Sequence, residues 1–122
     1  MADDPLVDAV VSLAPWLSAG TPAAAVAGRK VLIVHGSADR WTSPAESLKF
    51  ARRAASEAAE LRYVSLAGAG HFMFRRVRLW HALATGFVLK AFGESAGVDT
   101  GGGPARLDAL LPATAPGVPV VL

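Results

Sequence analysis

The sequence predicts an α/β fold: part of a layered sheet, with three mainly parallel strands, two main helices and a flexible C-terminal tail. Three observations lead there. Residues 31–35 and 62–66 are short, continuous apolar runs, the pattern of parallel strands covered on both faces. Each is followed by a longer segment whose apolar residues recur at helical spacing. Glycine, proline and small polar residues punctuate the joins.

Residues 7–17 read Val-Asp-Ala-Val-Val-Ser-Leu-Ala-Pro-Trp-Leu, and their Val-rich part suits a buried strand that stops at Pro15. Residues 18–28 form a Gly/Thr/Pro/Ala connector with room for one helical turn. The strand at 31–35 follows. Ser43-Pro44-Ala45-Glu46 then reads as a capping box with proline at the first helical position. It predicts a helix over 44–60 with Leu48, Ala51, Ala55 and Ala58 inward and Lys49, Arg52, Arg53 and Glu57 in water. A strand over 62–66 and a helix over 73–92 come next. The second helix carries an apolar stripe of Val77, Trp80, Ala84, Phe87, Val88 and Ala91. After Gly93 the pattern dissolves into Gly101-Gly102-Gly103-Pro104 and a Pro/Ala-rich end, which reads as a disordered tail. The expected organisation is one domain over 1–92 and a tail over 93–122.

Composition narrows the function classes. The chain has 122 residues, enough for one small domain, and is 52% hydrophobic, above the usual ~45–50%. That excess suggests a face meant to be covered. A net charge of +2 gives no electrostatic reason to expect a nucleic-acid partner. Without cysteine there is no disulfide, thiolate nucleophile or Cys-ligated metal. No uncharged apolar run reaches the ~18 residues of a membrane span, and the acidic start Met1-Ala2-Asp3-Asp4-Pro5 lacks the basic segment of a secretory signal. A cytoplasmic protein without a membrane partner is the expectation.

The chemistry sits in two loops. Val34-His35-Gly36-Ser37-Ala38-Asp39-Arg40-Trp41-Thr42-Ser43-Pro44 presents an acid just past one strand. Gly68-Ala69-Gly70-His71-Phe72 presents a histidine just past the next. In open α/β sheets functional groups gather at the carboxyl ends of the strands. An acid aimed at a histidine fixes its tautomer and stabilises the imidazolium, so the ring can act as a general base. Plainer readings stand beside this one. Asp39 alone is a common turn residue. His71 can be a helix-entry residue, and His35 a strand-end residue that shapes the loop. His35, Asp39 and His71 are also a conceivable zinc set, though without helical ligand spacing. Arg75, Arg76 and Arg78 read as a solvated helix face. Trp16, Trp41, Phe72 and Met73 flank the loops; Trp41 and Phe72 are candidate substrate-binding residues, or else core or interface.

Strand-HisGly-x-x-Asp-x-x-x-x-Pro followed by strand-Gly-x-Gly-His resembles the C-terminal half of an α/β-hydrolase. The segment Leu13-Ala14-Pro15-Trp16-Leu17 is similar to the strand after the nucleophile helix in bacterial esterase-like and dienelactone-hydrolase-like members. The resemblance covers residues 5–92 and likens the three strands to the sixth, seventh and eighth of that sheet. It implies a hydrolase of serine-hydrolase type acting on an ester, thioester or amide, with Asp39 as triad acid, His71 as triad base and no cofactor. The order acid then histidine is the family order. Val34-His35-Gly36 also resembles an earlier HisGly loop of the same family.

The chain lacks the family's oxyanion-hole loop, which belongs to an earlier strand, and departs from the pattern in a second respect. It contains no Gly-x-Ser-x-Gly. Ser12 and Ser18 lack glycines at the right offsets, Ser37 lies inside the acid loop, and Ser43 is better suited to capping a helix. The expectation is therefore a truncated portion of a hydrolase, inactive alone, whose partner is an N-terminal hydrolase half or a second copy. The alternative is a non-catalytic interaction module that pairs through an open sheet edge.

Overall fold

A computed structural model describes residues 8–17, 20–71, 76–97, 99, 101–111 and 117–122. The strands are β1 (Ala9–Leu13), β2 (Lys30–Gly36), β3 (Glu60–Leu66) and β4 (Pro119–Val121). The helices are α1 (Pro44–Ala54), α2 (Val77–Ala96) and α3 (Gly103–Leu110), with a 3-10 turn at Ala23–Val26 in the first connector. The sheet order is β1-β2-β3-β4 and every pairing is parallel. Ile33 lies opposite Ser12 on one side and Tyr63 on the other.

Period-two alternation divides the apolar strands between two cores. Val31, Ile33, Leu61 and Tyr63 face Phe50, Ala51 and Ala54 of α1. Leu32, Val34, Val64 and Leu66 face Leu83 and Phe87 of α2 and Leu107 of α3. Leu32, Val34, Val64 and Leu66 are completely buried, and burying a side chain of this size stabilises by about 1.5–3 kcal/mol. The same alternation aims His35 at α1, because it continues the row of Val31 and Ile33.

The α/β class and the three parallel strands appear as expected, with differences in detail. The segment read as a tail supplies two further elements. α3 packs across α2 where a Cβ on Gly86 would lie 2.9 Å from the Gly103 carbonyl oxygen. Leu107 and Leu111 enter the core there. The Val-Pro-Val-Val-Leu end adds β4 at the edge of the sheet, where a first-residue proline is tolerated. A glycine-rich composition hides such contacts, because their stability comes from α2 and β3 rather than from local propensity.

α1 ends at Ala54 rather than near 60. The Ala59 amide instead donates to the Arg29 carbonyl and Gly28 donates to Glu57, which draws the chain into line with β2. The buried face of α1 is Ser47, Phe50, Ala51 and Ala54. On α2 the predicted stripe is rotated. Leu83, Phe87 and Ala91 are buried, whereas Val77 and Val88 are 44% and 49% exposed. The helix closes on Gly97 in the left-handed region. The start expected at Met73 lies outside the described residues, as does Arg75. Arg76 donates to the Leu122 carbonyl at 3.1 Å and so ties the start of α2 to the end of β4. No described helix is long and apolar enough to cross a membrane.

Candidate active site

The site lies at the carboxyl ends of β2 and β3, where the two following loops are stitched together. Ser37 donates its amide to the Leu66 carbonyl and Ala38 donates to Ala69, both at 3.0 Å. The Gly68 amide donates to Ser37 Oγ at 2.9 Å. Gly36 sits at the closest approach, since a Cβ there would overlap the carbonyl oxygen of Ala69. Only glycine permits two backbones to come this near. Asp39 and His71 are carried on the two sides of this seam.

Asp39 is held at both oxygens. Oδ1 accepts from the amides of Trp41 at 2.8 Å and Thr42 at 2.9 Å. Oδ2 faces three groups: Thr42 Oγ1 at 2.7 Å, His71 Nδ1 at 2.9 Å and His35 Nε2 at 3.0 Å. The Asp39 side chain is fully buried and that of His71 is 26% exposed. Burial on its own would raise the Asp39 pKa. The amide of Thr42, the His71 ring, the Thr42 hydroxyl and the amide of Trp41 outweigh it and hold the carboxyl well below the usual range. Trp41, 73% exposed, stacks on the His71 ring with centroids 5.6 Å apart and planes 14° from parallel.

Behind Asp39 runs a second, buried chain of polar groups. His35 Nδ1 lies 2.7 Å from Ser47 Oγ, which lies 2.8 Å from the Tyr63 hydroxyl. Ser47 and Tyr63 can both donate to the Pro44 carbonyl, at 3.0 and 3.1 Å. Burial pushes His35 below its ordinary value of 6.5, against the hydrogen bond and charge of Asp39. Burial likewise pushes the Tyr63 hydroxyl up. Ser47, His35 and Asp39 thus have serine–histidine–acid connectivity. Ser47 and His35 are completely buried, so no substrate reaches that serine.

These shifts set a pH dependence. An unfolded chain binds a proton at His35 near 6.5, while the folded chain resists it. Stability contributed by the neutral ring is therefore complete above 6.5 and is lost as pH falls through the lowered folded value. Asp39 acts in the same sense at lower pH, below its ordinary 3.8. The melting temperature is expected to fall between about pH 7 and about pH 5, and the fall should be smaller in His35→Phe. Calorimetry across that range checks it; a flat profile would contradict the buried neutral ring.

The structure brings Asp39, His71 and Trp41 together, while Phe72 lies outside the described residues. Thr42, Ser47 and Tyr63 join the site without having been singled out by sequence. The zinc reading of His35, Asp39 and His71 does not take shape: both rings face one carboxylate oxygen, and among the described residues no group of three such side chains is placed to hold a metal.

The model of the prolyl oligopeptidase family matches residues 13–95. The chain belongs to the prolyl oligopeptidase family. The match takes in both site loops, β2, α1, β3 and nearly all of α2. Prolyl oligopeptidases are members of the α/β-hydrolase superfamily, so the superfamily resemblance seen in the loops holds, and the branch is this one. The family assignment carries a hydrolase fold of serine-hydrolase type. Neither a curated protein nor a solved structure shows significant similarity to the chain.

Proposed function

We propose that this chain carries the acid and the base of a nucleophile–Asp–His hydrolase triad, Asp39 and His71, with the nucleophile supplied by residues outside it. The observation that carries this reading is the 2.9 Å contact between His71 Nδ1 and a buried, ionised Asp39. A carboxylate only accepts, so Nδ1 carries the proton and the basic lone pair is on Nε2. Nε2 takes the proton of a hydroxyl nucleophile as its oxygen attacks the substrate carbonyl, and then returns that proton to the leaving group. Asp39 stays charged throughout and stabilises the imidazolium. Trp41 holds the ring from its exposed side and offers substrate an apolar wall.

Among the described residues, the serines of the acid loop and of α1 each have another task. Ser37 accepts from the Gly68 amide, Ser43 accepts from the Glu46 amide at the start of α1, and Ser47 is buried against His35. Ser12 lies within β1, opposite Ile33. A nucleophile from elsewhere is further supported by β1, which among the described residues pairs only with β2. The end of β1 reaches the site, since Thr42 Oγ1 lies 3.4 Å from the Ala14 carbonyl. A strand added along β1 would deliver its own terminal loop beside His71. Leu13 and Trp16, 37% and 84% exposed, flank that edge. The substrate is an ester, thioester or amide, and membership of a peptidase family favours the amide.

A fluorophosphonate probe tests the missing nucleophile on the chain as it stands. No serine should be labelled. Labelling of Ser12, Ser37, Ser43 or Ser47 would replace this reading by a self-contained enzyme. The same β1 edge supports a second reading, a non-catalytic module that pairs there with another protein. It predicts that a nucleophile-bearing half binds the chain without producing turnover.

A further inference from the structure

We propose that His35 is a positioning residue for the Asp39–His71 pair, anchoring through Nε2–H the carboxylate oxygen that faces His71. The role rests on the triad reading above and extends it to a residue that touches no substrate. The groups facing His35 come from four places: Asp39 and Thr42 in the acid loop, Ser47 on α1, Tyr63 on β3 by way of Ser47, and His71 from the β3 loop.

The hydrogen-bond assignments follow in sequence. Asp39 is ionised and can only accept, so His35 Nε2 must carry a hydrogen. Burial keeps the ring neutral, so Nδ1 carries none and accepts from Ser47 Oγ–H at 2.7 Å. Ser47 has then used its one hydrogen, and its oxygen accepts from Tyr63 O–H at 2.8 Å. All donors point one way, from Tyr63 through Ser47 and His35 to Asp39, and each of these four side chains is matched to the next.

The anchor is needed because Oδ2 has few rigid donors. Thr42 Oγ1 has a single hydrogen and lies within 3.4 Å of Asp39 Oδ2, His35 Nε2, His71 Nδ1 and the Ala14 carbonyl. His71 is itself the group to be oriented. His35 is borne on β2, is completely buried, and is clamped from behind by α1. The backbone amides of Trp41 and Thr42 fix Oδ1, and His35 fixes Oδ2. The carboxylate plane is thereby set, and with it the direction in which His71 is held.

Long-range proton–nitrogen NMR on the full chain, labelled with 15N-histidine, reads the tautomer of each ring directly. The wild type should show His35 as the Nε2–H form and His71 as the Nδ1–H form. In His35→Phe the preference of His71 for its Nδ1–H form should drop several-fold. In His35→Gln, whose amide can donate to Asp39 and accept from Ser47, that preference should return. A purely packing role would give the reverse, with phenylalanine tolerated and glutamine not. Finding His35 as Nδ1–H in the wild type overturns the proposal without recourse to any variant. Asp39→Asn separates the two levels. If His71 responds to Asp39→Asn but not to a folded His35→Phe, the positioning role alone is lost. If His71 ignores Asp39→Asn as well, the acid–base pair is lost with it.

Discussion

In an enzyme completed with its nucleophile-bearing half, Asp39→Asn is expected to lower turnover of an activated ester or peptide anilide by about four orders of magnitude. His71→Ala should lower it by about a millionfold. The first figure has a specific structural cause. Two backbone amides point at Oδ1, from Trp41 at 2.8 Å and Thr42 at 2.9 Å. An asparagine must place its carbonyl oxygen there, which turns its NH2 toward the position of Oδ2. That NH2 donates to His71 Nδ1 and so moves the ring hydrogen to Nε2, the atom that must accept from the nucleophile. The fold should survive the change. His35 can donate from Nδ1 to Ser47, and Ser47 can pass its own hydrogen to the Pro44 carbonyl at 3.0 Å. A folded, nearly inactive Asp39→Asn is therefore the expected pair of results, read from steady-state rates and a thermal melt. Rates that match the parent in both variants would remove Asp39 and His71 from the reaction.

The second large effect is structural. Gly36→Ala should destabilise the chain at or above the upper end of the ~1–3 kcal/mol typical of overpacking. The added methyl overlaps the Ala69 carbonyl and comes within 2.9 Å of the Gly70 carbonyl oxygen. Both are backbone atoms, so no side-chain rotation relieves the clash. The acid loop and the histidine loop must move apart, breaking the bonds of Ser37 to Leu66 and of Ala38 to Ala69. Denaturant unfolding measures the loss of stability, and histidine NMR should show His71 released from Asp39. An alanine variant of parental stability would mean that the seam is looser than described.

The two loops were legible because each joins an apolar run to glycine and then to one chemically active residue. Asp39, His71 and Trp41 came from that pattern. Ser47 and Tyr63 did not, since neither belongs to a motif. Their link to Asp39 passes through His35, whose side was nevertheless readable. Alternation along β2 puts His35 in the row of Val31 and Ile33 and therefore under α1. On α1, Ser47 stands four residues beyond the capping Ser43, with Phe50, Ala51 and Ala54 continuing its face. The rotated stripe on α2 has a different origin. Its apolar residues, among them Val77, Leu79, Trp80, Ala82, Leu83, Phe87, Val88, Leu89, Ala91 and Phe92, nearly encircle the helix. Periodicity cannot then choose a side, and only the packing of Leu83 and Phe87 on the sheet does so. β4 escaped notice because three residues beginning with proline carry no strand signal of their own; the register with Tyr63, Val64 and Ser65 creates it.

Among the described residues, every side chain that grips Asp39 is borne between Lys30 and His71, on one strand–helix–strand crossover and the loop that leaves it. The acid–histidine couple is thus a self-contained cassette. Lineages could exchange the segments on either flank, and with them the substrate, while this cassette passed through unaltered.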